Sequence, residues 1–111
     1  LDTFPFNGVT TTFEALWKNV PVITKTGYNF NSRCGESILK NANIDKFIAI
    51  SNEDYIEKAV FYSNNIYELE NTREQLFDEI LETPLFDTKG FSKNFCDALD
   101  QMYKQVIKNY K

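Results

Sequence analysis

Three consecutive threonines, Thr10, Thr11 and Thr12, follow a turn signal at Asn7-Gly8 and precede Glu14 in an otherwise apolar helical pattern. One use for such a run is a nucleotide. A helix that opens at the threonines leaves its first backbone N–H groups unpaired and carries partial positive charge there, which suits phosphate. Gly8 lets the backbone approach such a group closely. The Thr10 and Thr11 hydroxyls add donors, with Asn7, Val9 and Thr12 as neighbouring candidates. Glu14, about one turn further on, is badly placed for phosphate but can accept hydrogen bonds from paired ribose hydroxyls. The combination describes a nucleotide diphosphate site. The other use needs no ligand. Thr11-x-x-Glu14 is a capping box, and spacing alone favours it. The two uses compete for one carboxylate.

Other residues carry weaker signals. Asn7 either holds the turn or reaches the nucleotide, with equal weight. Arg33, beside Ser32 at a helix start, reads first as an ordinary helix-start or interdomain ion pair, and second as a cleft residue near donor or acceptor. Lys25 follows a strand and faces the same edge as the threonines, and it reads as a solvated lysine rather than a ligand contact. Trp17 shares the helical face of Phe13, so it reads as packing under the site and not as a stacking platform.

These residues need elements to position them. Leu1–Phe4 reads as a strand end running into the loop Pro5–Gly8. Phe13, Leu16 and Trp17 keep one apolar face over a helix from about Thr12 to Lys18, closed by a left-handed Asn19. Val20–Thr24 is a β-branched run with Pro21 at its start, typical of a buried parallel strand. A helix over about 32–41 follows, with Cys34, Ile38 and Leu39 inward, and then a strand at Phe47–Ile50. Ser51 and Asp54 cap a helix carrying Tyr55, Ile56, Ala59, Val60 and Tyr62. A further helix spans Ile66–Leu81 and ends before Pro84. The last helix spans about 91–110. Its stripe of Phe91, Phe95, Leu99, Met102, Tyr103, Val106 and Tyr110 reads as core. Strands alternating with helices imply an α/β, three-layer Rossmann-like arrangement with a short parallel sheet of three strands. Ligands in such sheets bind beyond the carboxyl ends of the strands, where Pro5–Thr11 lies.

Bulk properties narrow the function classes. The chain has 111 residues, 42% hydrophobic and 15% aromatic, enough for a packed core. A net charge of −4 and a pI near 4.8 argue against a nucleic-acid partner. Cys34 and Cys96 match no metal spacing and the chain has no histidine, so no metal is expected. A structural disulfide is the lesser alternative, and two reduced, partly buried thiols of a cytoplasmic protein are the favoured reading. No apolar run approaches the ~20 residues of a membrane span. Leu1 is followed at once by Asp2 and a turn, which is no signal peptide. A chain opening on a strand end reads as one partial domain, 1–111, cut from a larger protein. Such a piece would expose apolar surface and self-associate.

The stretch LDTFPFNGVTTTFEALWKNVPVIT resembles the C-terminal catalytic region of O-GlcNAc transferase and SPINDLY-type glycosyltransferases. The likeness continues in order through Ser32-Arg33, Ile48-Ala49, Asp54-Tyr55, Thr83–Phe86 and the closing aromatic helix, which in such proteins often crosses back to the other domain, so the resemblance implies that part of its stripe is exposed. The resemblance implies a GT-B architecture, two Rossmann-like domains facing across a cleft, often behind tetratricopeptide repeats. This chain would be the C-terminal half of the donor-binding domain. Thr10 and Thr11 match the family's diphosphate contacts and Glu14 its ribose-binding acid. Animal members carry Asp at the Glu14 position and His at that of Val9, whose side chain cannot donate a hydrogen bond. The resemblance further implies inverting, metal-free transfer of GlcNAc from UDP-GlcNAc to protein Ser or Thr hydroxyls. A different donor, such as GDP-fucose, is the alternative within the family; a non-catalytic α/β binding module is the alternative outside it. The family's phosphate-contacting lysine and most acceptor contacts lie upstream of this segment, so the chain alone is expected to be inactive.

Overall fold

The computed structural model describes residues 1–109. In chain order the elements are α1 (Thr10–Trp17), β1 (Thr24–Lys25), α2 (Cys34–Asn41), β2 (Ile48–Ala49), α3 (Asn52–Asn64), α4 (Ile66–Leu81) and α5 (Thr88–Asn109). Single 3-10 turns sit at Phe30–Ser32 and Asp45–Phe47. Tyr110, placed by its spacing on the last helical stripe, and Lys111 lie outside the described residues.

β1 and β2 pair in parallel, with Thr24 opposite Ile48 and Lys25 opposite Ala49. A parallel pair needs a crossover, and α2 supplies it, giving a βαβ unit. Helices α2 and α3 both pack on the strand pair and scarcely touch each other. This is the arrangement of helices on two faces of a sheet, and the α/β, Rossmann-like class read from the sequence holds.

The sheet is smaller than its hydrophobic runs imply, for local reasons. Val20 gives its N–H to Ala15 O (2.8 Å), closing α1, and Pro21 has none to give. At the other strand, the Phe47 N–H goes to Ile44 O (3.2 Å) in a 3-10 turn, and Ile50 N–H goes to the Asp54 carboxylate (2.9 Å). The anticipated third strand at Leu1–Phe4 is absent. Asp2 N–H reaches Ile23 O (2.9 Å), but the Thr3 N–H turns to the Asp2 carboxylate (2.8 Å), and Pro5 cannot donate. The segment meets the chain just ahead of β1 by one backbone hydrogen bond and leaves.

Two helices end alike. After α1, Asn19 N–H bonds Leu16 O and Val20 N–H bonds Ala15 O, with Asn19 left-handed at φ 58°. After α2, Asn43 N–H bonds Lys40 O and Ile44 N–H bonds Leu39 O, with Asn43 at φ 57°. Both are Schellman closures, and asparagine tolerates the left-handed position better than most residues. The core joins Leu16 of α1, Ile38 and Leu39 of α2, Phe47, and Leu76 and Ile80 of α4. From α3, Tyr55, Ala59 and Tyr62 pack against it, and Tyr62 stacks on Phe47 at 4.8 Å. Ile56 and Val60 of the same helix are exposed.

The last helix departs most from its reading. It begins at Thr88, three residues earlier than spacing implied, because Asp87 caps it: Gly90 N–H donates to Asp87 Oδ1 (2.8 Å) and Phe91 N–H to Asp87 O (2.9 Å). Its apolar stripe is not core. Phe91 is 69% exposed, Leu99 47% and Val106 53%. Among the described residues no element packs along this face to cover it. Cys96, on the same helix, is an exposed free thiol, whereas Cys34 is partly buried. No helix among the described residues is long and apolar enough to cross a membrane.

Candidate functional site

The turn that opens α1 is held from behind. Asn7 is fully buried, and its amide donates to Thr3 O (2.9 Å) and Lys25 O (3.5 Å) while its Oδ1 accepts from Gly35 N–H (3.3 Å). Of its two possible roles, the structure shows the loop-holding one. Gly8 N–H donates to Asp2 Oδ1 (2.8 Å). Thr12, buried like Asn7, gives its hydroxyl to Gly8 O (2.9 Å) and so clamps the turn to the first helical residues. A Cβ at Gly8 would collide with the Thr11 hydroxyl and crowd that of Thr12. Glycine is needed there for that close approach, and Thr11, not open space, occupies it.

Val9 is the residue that caps α1, and its side chain offers no acceptor to the helix. The first backbone bond into the helix runs from Phe13 N–H to Val9 O (3.0 Å). Among the described residues, nothing accepts the N–H groups of Thr10, Thr11 or Thr12. Thr10 and Thr11 are exposed beside them. The capping box that spacing favoured is therefore not formed. Thr11 lies inside the helix instead of capping it, and Glu14 does not fold back. Glu14 is exposed, has no hydrogen-bond or ion-pair partner among the described residues, and borders a hollow of about 590 Å³ with Phe13, Trp17 and Phe86. Trp17 is not packing under a site. It meets Phe77 (4.9 Å) and Phe86 (5.7 Å) edge-on and is 51% exposed.

A second cleft, of about 650 Å³, lies between α1 and α2, lined by Val9, Phe13, Phe30, Arg33 and Glu36 among others. Arg33 makes the ion pair its position suggested, Nε to Glu36 Oε2 at 3.1 Å. Lys40 Nζ reaches the other oxygen at 2.7 Å, and the Thr26 hydroxyl donates as well. Hydrogen bonds from Lys40, Thr26 and Arg33 hold the Glu36 carboxyl at a pKa of about 2, against its ordinary 4.5. Lys25 is not a freely solvated lysine: its ammonium donates to Asn52 Oδ1 (2.7 Å) and sits 3.8 Å over the Phe4 ring.

Two participants escaped the sequence reading. Glu36 was detectable, since Arg33, Glu36 and Lys40 stand at i, i+3 and i+7 on one helix face. Asp2 was not, because its partners are far off in the chain. Its carboxylate accepts from Thr3, Gly8 and the Thr24 hydroxyl (2.8 Å each), and its carbonyl accepts from the Tyr55 hydroxyl (2.6 Å). Burial, with the Asp2 charge nearby, raises the Tyr55 pKa, which keeps that hydroxyl a donor.

Residues 1–95 match the family model for glycosyl transferase family 41. The chain belongs to that family. It is 33% identical over 110 residues, 99% of its length, to a protein of Petunia hybrida named probable UDP-N-acetylglucosamine–peptide N-acetylglucosaminyltransferase SPINDLY. A UDP-N-acetylglucosamine–peptide N-acetylglucosaminyltransferase of Caenorhabditis elegans is 30% identical over 95% of the chain. Among solved structures, an O-GlcNAc transferase mutant of Thermobaculum terrenum, a GT-B glycosyltransferase, superposes over 99% of the chain with a TM-score of 0.90 at 29% identity. The family 41 segment described here is short against these proteins. It spans 11% of the Petunia protein, 9% of the nematode protein and 21% of the solved chain.

Proposed function

We propose that this chain is the sugar-nucleotide-binding part of an inverting protein O-glycosyltransferase that transfers GlcNAc from UDP-GlcNAc to Ser or Thr hydroxyls. The observation that carries the reading is the open end of α1: three N–H groups without acceptors among the described residues, flanked by exposed Thr10 and Thr11, with an unpartnered Glu14 about one turn on. The diphosphate sits against the helix N-terminus and the ribose against Glu14. In the transfer step the acceptor hydroxyl oxygen attacks the anomeric carbon and gives up its proton to solvent, the bond to the β-phosphate oxygen breaks, and the nucleotide leaves with that electron pair. The N–H groups, threonine hydroxyls and helix dipole stabilise the charge that builds on the departing phosphate. The reading assigns no metal, no covalent intermediate and no catalytic base to these residues, so the chain alone carries out no transfer. The choice of donor rests on the names of the relatives.

The test is titration calorimetry of UDP, UDP-GlcNAc and GDP-fucose into the full-length protein that carries this chain, as wild type and as Glu14→Ala. Removing a charged hydrogen-bond acceptor is expected to weaken UDP-GlcNAc by about tenfold or more. Unchanged affinity overturns the ribose assignment, and tight binding of GDP-fucose in place of UDP-GlcNAc overturns the donor.

A further inference from the structure

One carboxylate ties together the parts that aim the open end of α1. Asp2 Oδ1 takes the Gly8 N–H at the base of the helix and the Thr3 N–H at the start of the loop, both at 2.8 Å. Its Oδ2 takes the Thr24 hydroxyl at 2.8 Å, and Thr24 is a fully buried β1 residue in register with Ile48. Its own backbone is fixed on both sides, by Ile23 O just ahead of β1 and by the Tyr55 hydroxyl of α3. The loop, the sheet and α3 thus meet at one residue. A Cβ on Gly35 would press on both the Asp2 carboxylate and Thr24, so α2 closes the fourth side.

We propose that Asp2 is a positioning residue for nucleotide binding: it holds Gly8 at the height where the Thr10, Thr11 and Thr12 N–H groups converge on a phosphate. This rests on the nucleotide reading above. Asp2 itself touches no ligand. Its carboxylate faces the protein, and its effect passes through Gly8 and Thr12 to the helix end.

The test uses the full-length protein with UDP as probe, at a temperature where circular dichroism shows every variant folded. Asp2→Ala is expected to raise the dissociation constant for UDP by about tenfold, the scale of one lost well-made contact. Asp2→Asn keeps an oxygen for the Gly8 N–H and is expected to stay within about threefold of wild type. A residue that only stabilises the fold would lower Tm in Asp2→Ala and leave UDP affinity unchanged; that result overturns the proposal. So does an Asp2→Asn variant as weak as Asp2→Ala, because it would make charge, not position, the contribution. Should Asp2→Ala fail to fold, Thr24→Val removes one anchor and leaves the carboxylate, and undiminished affinity there is equally fatal. A Thr10→Val, Thr11→Val double variant separates the two readings. If it binds UDP as wild type does, the nucleotide reading itself falls. If it weakens binding while Asp2→Ala does not, only the positioning role falls.

Discussion

At the scale of single residues, charge is concentrated where donors converge. Glu36 is the clearest case, with Lys40, Thr26 and Arg33 on one carboxylate and a pKa of about 2. Its folded pKa lies below its ordinary value of 4.5, so the stability it contributes is present above that value and is lost as pH falls toward 2. Chemical denaturation between pH 7 and pH 2 is expected to show Glu36→Gln less stable than wild type at neutral pH. The difference should shrink below pH 4.5 and vanish only as pH approaches 2; a constant offset across the range would remove Glu36 from the acid response. What was legible at this scale depended on range. The Arg33–Glu36–Lys40 spacing is local, as is the Thr12 hydroxyl bonding back four residues to Gly8 O. The capping box was equally local and is not made, because the helix starts early enough to put Thr11 inside it. Asp2 had no local signature, since its partners Thr24 and Tyr55 come near only when the chain folds.

At the scale of elements, helix existence followed from period and helix ends from capping chemistry. Asn19 was readable as a left-handed closure, and the structure adds a buried Oδ1 with no hydrogen-bond partner. Asn19→Gly is therefore expected to raise Tm, since it removes the unpaired oxygen and fits φ 58° without strain. Asn19→Ala keeps the strain and is expected to cost about 1 kcal/mol by thermal denaturation. Equal effects of the two would show that the left-handed backbone does not decide stability there. The strands were legible as apolar runs but not in length. Competing local bonds at Val20, Phe47 and Ile50 took the backbone groups that a longer ladder needs.

At the scale of the whole molecule, the α/β order of elements survived and the core assignment for the last helix did not. Periodicity identifies an apolar face without identifying what covers it. On α5 the stripe through Phe91, Phe95, Leu99 and Val106 lies open along a helix of 22 residues. For the isolated 111-residue chain, sedimentation is expected to show concentration-dependent association, and Phe95→Glu with Leu99→Lys to return it toward monomer. A wild-type chain monomeric at all concentrations would show that this face does not drive contact.

The bond from the Tyr55 hydroxyl to Asp2 O joins residues separated by 53 positions. Loop closure over such a span comes late and is lost early, since its entropy must be met before the contact forms. The donor end of α1 then acquires its shape only after β1, α2 and α3 have come together. The Gly8 amide, which the Asp2 carboxylate holds, should be among the last to gain protection from hydrogen exchange. On the proposed function, nucleotide binding at that end then waits until α3 has docked.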